Sequence, residues 1–183
     1  MFWILIPALG LVAWLVFTFN KLVRIRNQSR NAWADIDVQL KRRYDLIPNL
    51  VETIKGYAGH EKETFEAVVE ARNRAMAAQG PAQKGPAEGQ LGQALGSLFA
   101  LAESYPELRA ADNFLQLQGT LSEIEEALQN ARRYYNAVVR DLNTAIEQFP
   151  SNLVAGVFGF TPADFFRIEA AEREAPRVDL DSE

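Results

Sequence analysis

FLQLQGTLSEIEEALQNARRYYNAVVRDLNTAIEQF, residues 114–149, carries apolar or small side chains at alternating steps of three and four: Phe114, Leu117, Leu121, Ile124, Leu128, Ala131, Tyr135, Val138, Leu142, Ala145 and Phe149. This is a heptad a/d pattern sustained over about five heptads, and no Pro or Gly follows Gly119 within it. It draws one narrow apolar seam along a long helix and leaves the charges elsewhere. A helix from Asp112 to Phe149 would extend about 57 Å at ~1.5 Å per residue. Propensity alone does not hold a helix of that length, so other helices must cover the seam.

The rest of the chain supplies those helices. Of its 183 residues 48% are apolar, enough for one domain with a packed core and against general disorder. The chain has no Cys, which excludes disulfides, thiol catalysis and thiolate metal sites. A net charge of −5 opposes nucleic-acid binding, which requires the reverse balance.

Residues 1–19, MFWILIPALGLVAWLVFTF, contain no charge. They are just long enough to cross a hydrocarbon core of ~30 Å, and Trp3 and Trp14 suit lipid or interfacial contact. A cleaved signal peptide and a buried core helix are the alternatives. No cation precedes the apolar run and no small-x-small site follows it, so a retained single-pass anchor is the expectation. Lys21, Arg24, Arg26 and Arg30 follow before the first acid, Asp35. That asymmetry makes the cytoplasmic side the expectation for the remainder, the alternative being a solvated basic helix face without topological meaning.

No breaker separates the anchor from the next stripe, Trp33, Ile36, Leu40, Ile47, Leu50, Ile54 and Tyr57, in which Arg43 is the polar intruder. One helix should therefore continue from the anchor through residues 20–57. Pro48 should kink it, and Gly56 and Gly59 should end it. A second helix is expected over 60–79. GPAQKGPAEG, residues 80–89, reads as a loop, and a third helix follows over 90–105. Tyr105-Pro106 breaks that helix, and the long one begins near Asp112 or Asn113 and covers 112–149. The fold class is thus all-α: a transmembrane helix running into an antiparallel up-down four-helix bundle.

Residues 150–166 are apolar but interrupted by Pro and Gly. Leu153, Val154, Val157, Phe158, Phe160, Phe165 and Phe166 are too many to leave in water, yet Pro150, Gly156, Gly159 and Pro162 forbid a straight span. After four antiparallel passes this segment returns to the level of the anchor, against the membrane surface or an oligomer partner. The alternative is a cap on the base of the core. The tail 167–183 holds six acids against three bases and should fray.

Four runs in this order carry a resemblance: QLKRRYDLIPNLVETIKGYAGHE at 39–61, YPEL at 105–108, ARRYYNAVVRDLN at 131–143 and FPSNLVA at 149–155. Together they strongly resemble the LemA family, over nearly the whole chain from the anchor to about Phe166. The resemblance implies a bacterial membrane protein with an N-terminal anchor and an antiparallel helical domain. It says little about molecular function.

Catalytic signals are weak. His60 stands alone in GHEKE, without the second His of a zinc H-E-x-x-H site. Asp45, Glu52, Glu123, Glu125 and Glu126 read as solvated or salt-bridged carboxylates, and the Glu-x-x-His pairs of di-iron bundles are missing. No catalytic, cofactor or metal residue is assigned. The structural and interaction candidates are Arg43, Pro48, Asn49, Glu123, Glu126, Phe158 and Phe160. Lys41, Arg42 and Arg43 fan out around a helix at ~100° per step, so only Arg43 falls on the seam. If 20–57 and 112–149 lie antiparallel, residue 43 stands beside roughly residue 127, which makes Glu123 and Glu126 the expected partners.

The function expected is a membrane-anchored, non-enzymatic scaffold or adaptor that binds partner proteins or itself, without cofactor, small-molecule substrate or nucleic acid. A membrane-organising oligomer is the alternative, and an enzyme with an unrecognised carboxylate site is a distant third.

Overall fold

The computed structural model describes residues 2–168. The acidic tail lies outside the described residues from 169 onward, and the expectation for Trp3 falls on a side chain outside them. Six helices follow one another: α1 (Phe2–Lys55), α2 (Lys62–Ala77), α3 (Gly80–Glu103), α4 (Pro106–Arg109), α5 (Asp112–Glu147) and α6 (Ser151–Val157). Among the described residues there is no strand. The described residues are all-α as their periodicity requires, with six helices among them where the stripes counted four.

α1 is a single helix of 54 residues, so the charge-free run does continue without interruption into the next stripe. It runs through Pro48, whose missing N–H removes one ladder bond but does not end the helix. The two additional helices are short: α4 lies where the chain was expected to break and turn after Tyr105, and α6 lies in the apolar segment 150–166, which was expected only not to form a straight span. Each begins at or just after a Pro, Pro106 and Pro150, where a fixed φ and an absent N–H suit a first helical turn or its cap. The Phe149-Pro150 peptide is cis.

The larger revision is α3. Residues 80–89, read as a loop, are its first turns. Pro81 lies in the first turn, where it is tolerated, and Pro86 lies inside the helix. Gly85 has a tertiary reason. A Cβ built there would stand 1.9 Å from the carbonyl oxygen of Arg167, so only glycine lets that segment lie on the helix. Glu88, also within this stretch, is buried.

The chain divides into two compact units. The first comprises α1 as far as Asp45 together with Gly119–Phe165. In it α1 and α5 run antiparallel. Gln28 donates to the Tyr134 hydroxyl at 2.7 Å, and Arg43 meets Glu125, so positions descend along α5 as they rise along α1. α1 buries Leu22, Ser29, Ala32, Ile36, Leu40 and Arg43 at steps of seven, three and four. α5 answers with Leu121, Ile124, Leu128, Tyr135, Val138, Leu142 and Ala145, the seam seen in the sequence. Trp33 and Tyr135 meet between the two helices with ring centroids 5.3 Å apart. Phe149, the last seam position, lies beyond the end of α5 and is 74% exposed.

The second unit comprises Leu46–Gln118 and the segment that begins at Phe166. α2 packs on α3. Its core includes Ile47, Leu50, Ile54, Phe65, Val68, Ala75, Leu91, Leu95, Leu98, Leu108 and Phe166. Phe99 and Phe114 pair with ring centroids 6.4 Å apart.

Candidate membrane-proximal site

α1 begins with side chains that no protein core covers. Ile6 and Leu9 are each 73% exposed and Phe17 is 69% exposed. A core helix of a water-soluble fold buries such groups. α1 is the helix among the described residues long and apolar enough to cross a bilayer. The charge-free run ends at Phe19, and Lys21, Arg24 and Arg30 beyond it are exposed.

A second apolar element packs at this boundary. Leu22 of α1, Ala145 of α5, Val154 and Ala155 of α6, and Phe160 form one buried cluster, with Trp14, Phe19, Val23, Ile25 and Ile146 packed around it. The Phe19 ring lies 4.7 Å from that of Phe158 and 5.9 Å, edge-on, from that of Phe160. The Arg26 guanidinium lies over the Phe160 ring, 4.9 Å from its centroid.

Local chemistry explains how α6 delivers these rings. Gly159 takes φ 67°, the left-handed conformation that favours glycine. The Phe160 N–H donates to Ala155 O at 2.9 Å and the Gly159 N–H to Gly156 O at 3.4 Å. This is a Schellman ending, with Gly159 at C′ and Phe160 at C″ folding back onto the helix. Phe158 and Phe160 thereby part company. Phe160 is buried, whereas Phe158 stays 54% exposed beside Leu153 at 58% and Val157 at 81%.

After Phe160 the chain is an irregular strap held by α5. The Asn143 side chain donates its Nδ2 to Ala163 O at 3.0 Å and accepts the Ala163 N–H at Oδ1 at 2.9 Å, as a strand neighbour would. The Tyr135 hydroxyl donates to Asp164 O at 2.8 Å. Burial, with the Asp164 carboxylate adding to it, pushes the Tyr135 pKa up to about 12. Sequence reading placed Tyr135 in the core but missed Asn143. The one available signal was its place in the ARRYYNAVVRDLN run.

The other candidates are distributed as follows. Arg43 is buried, and its Nε lies 2.7 Å from Glu125 Oε1. The acid paired with it is therefore Glu125, whereas Glu123 and Glu126, the partners expected from residue counting, are exposed. Counting landed within two residues. On a helix one residue is ~100° of rotation, so position along the axis did not decide which acid faces α1. Lys41 pairs with Asp45 at 3.6 Å and Arg42 donates to Gln39 Oε1 at 3.1 Å, both in solvent, so the three cations do fan out. Pro48 and Asn49 are exposed on α1, and the Asn49 carbonyl accepts the Thr53 hydroxyl at 2.9 Å. His60 is exposed in the turn before α2. Among the described residues no three His, Asp or Glu side chains gather where they could hold a metal ion.

The sequence profile described as the LemA family matches residues 32–180. This chain belongs to the LemA family. It is similar to protein LemA of Metamycoplasma hominis, 27% identical over 165 residues, covering 89% of this chain and 73% of that protein. It is also similar to magnetosome protein MamQ 2 of Paramagnetospirillum magneticum, 25% identical over 193 residues, covering 91% of this chain and 71% of that protein. Magnetosome protein MamQ of Magnetospirillum gryphiswaldense is 26% identical over 195 residues, with 91% and 72% covered. As a LemA-family member the chain is a helical protein with one N-terminal helix suited to a membrane.

Proposed function

We propose that this LemA-family member is a single-pass membrane scaffold, without catalytic activity, that holds partner proteins or further copies of itself at the membrane. The observation that carries the reading is the continuity of α1 from Phe2 to Lys55. An exposed, charge-free apolar segment and a packed helical body share one continuous helix, a construction suited to presenting a surface at a fixed distance from a bilayer. In this reading the long helices pass in an up-down bundle, as α1 and α5 do in the first unit, and Lys21, Arg24, Arg26 and Arg30 keep the body on the cytoplasmic side. Crosslinking in native membranes followed by pull-down tests it. Recovery of specific protein partners, or of the chain with itself, supports the scaffold, and a chain that remains uncrosslinked at every exposed Lys argues against it.

A second reading is a membrane-organising oligomer. Two of the similar proteins are named as magnetosome proteins, and Phe149, Leu153, Val157 and Phe158 offer exposed apolar surface. Mass photometry of detergent-extracted protein separates the two, because organising a bilayer requires large assemblies and a scaffold does not.

A further inference from the structure

We propose that α6 and its flanks, Phe149–Phe158, seat in the interfacial layer of the lipid bilayer beside the point where α1 enters it. The protein then holds the membrane at two places, with one helix through it and one short helix in its surface. This rests on α1 being the membrane span, and it goes beyond the scaffold reading because it requires no protein partner.

The position of α6 along α1 points to the bilayer. The buried cluster that fixes α6 includes Leu22, and Trp14 and Phe19 pack against it. Trp14 and Phe19 lie inside the charge-free run and Leu22 lies just beyond it. A bilayer that covers the exposed side chains from Ile6 to Phe17 ends at the level where α6 is docked. The outer face of α6 carries Leu153, Val157 and Phe158, and Phe149 precedes it, all more than half exposed. Phe158 continues the span's own surface, since its ring rests on that of Phe19. Pro150 and Gly159 bound α6 at seven residues, too short to cross and suited to lie in the surface. The exposed cations Lys21 and Arg24 then stand at headgroup level. Two contacts also fix what one helix leaves free: the rotation of the first unit about the axis of α1.

The chain has no Cys, so single labels are clean. Val157→Cys and, separately, Leu153→Cys carry an environment-sensitive dye on the full chain in nanodiscs. Val38→Cys, exposed further along α1, serves as the water reference. Both α6 sites accept a dye without disturbing the core, and circular dichroism verifies the fold. Seating predicts a blue-shifted dye at both sites, quenched roughly twofold or more by lipids spin-labelled near the headgroup, as for groups ~5–10 Å into that boundary. The Val38 label stays unquenched. Dyes at 153 and 157 as water-like as the Val38 reference overturn the proposal while leaving the scaffold reading intact. Dyes shielded from water but unquenched by lipid overturn it in favour of a protein occupant. A label at Leu9→Cys as water-like as the Val38 reference in the same nanodiscs would instead remove the membrane span itself.

Discussion

Arg43 Nε lies 2.7 Å from Glu125 Oε1, with the arginine side chain 5% exposed and the glutamate 38%. The contact at Nε is an ion pair. A cation inside a helical seam is tolerable only with such an acid at hand, and the cost of losing it falls mainly on the buried partner. Glu125→Ala should destabilise the protein by about 1–3 kcal/mol, less than a fully dry pair because the carboxylate is partly solvated. A double-mutant cycle in urea should give coupling of about 1 kcal/mol between Arg43→Ala and Glu125→Ala and almost none with Glu123→Ala. Equal coupling to Glu123 would mean that the register of α5 on α1 is wrong.

Asn143 acts as a surrogate strand for Ala163. Asn143→Ala removes both of its bonds and leaves an amide and a carbonyl half-buried, at a cost of about 1–3 kcal/mol. The specific sign is amide exchange. The Ala163 N–H should lose its protection in the variant while the amides of Leu121–Leu128 keep theirs. Unchanged exchange at Ala163 would show that the strap is held by its phenylalanines alone.

Tyr135 gives the protein an alkaline weakness. Its folded pKa of about 12 lies above the ordinary tyrosine value of 10.0, so the folded state holds the proton more tightly. The associated stability is fully present below pH 10 and is lost as pH rises toward 12, because the unfolded state releases the proton first. Tyr135→Phe should be about 1 kcal/mol less stable at neutral pH for the lost hydrogen bond. Between pH 10 and 12 it should lose stability less steeply than the native chain. Parallel slopes for the two proteins across that window would refute the assignment.

Two glycines of α3 should respond in opposite directions. At Gly85 a Cβ collides with the Arg167 backbone, so Gly85→Ala should cost about 1–3 kcal/mol as that segment is pushed off. At Gly96 a Cβ meets nothing within 4 Å, and the residue is exposed within a helix. Gly96→Ala should add about 0.5–1 kcal/mol. Melting curves of the two single variants decide the matter, and the same sign at both sites would contradict the packing of residue 167.

The amino-acid sequence by itself determined the helices and their faces. The three-four rhythm of Leu121, Ile124, Leu128, Tyr135, Val138 and Leu142 is a local property, and it forces one buried edge whatever covers it. The charge-free run to Phe19 and the unbroken stripe after it likewise required a single long α1. Tertiary structure alone decided the rest. Which of Glu123, Glu125 and Glu126 meets Arg43 depends on the rotation of one helix against another, which no local period contains. That position 85 of GPAQKGPAEG must be glycine is decided by a distant carbonyl, that of Arg167, needing the space over it. Phe158 and Phe160 are alike in composition and neighbourhood, and the left-handed turn at Gly159 sends one to the surface and the other into the core. A periodic pattern records which side of an element avoids water, but the angle between elements and the partner of each polar group arise only when distant segments compete for the same volume.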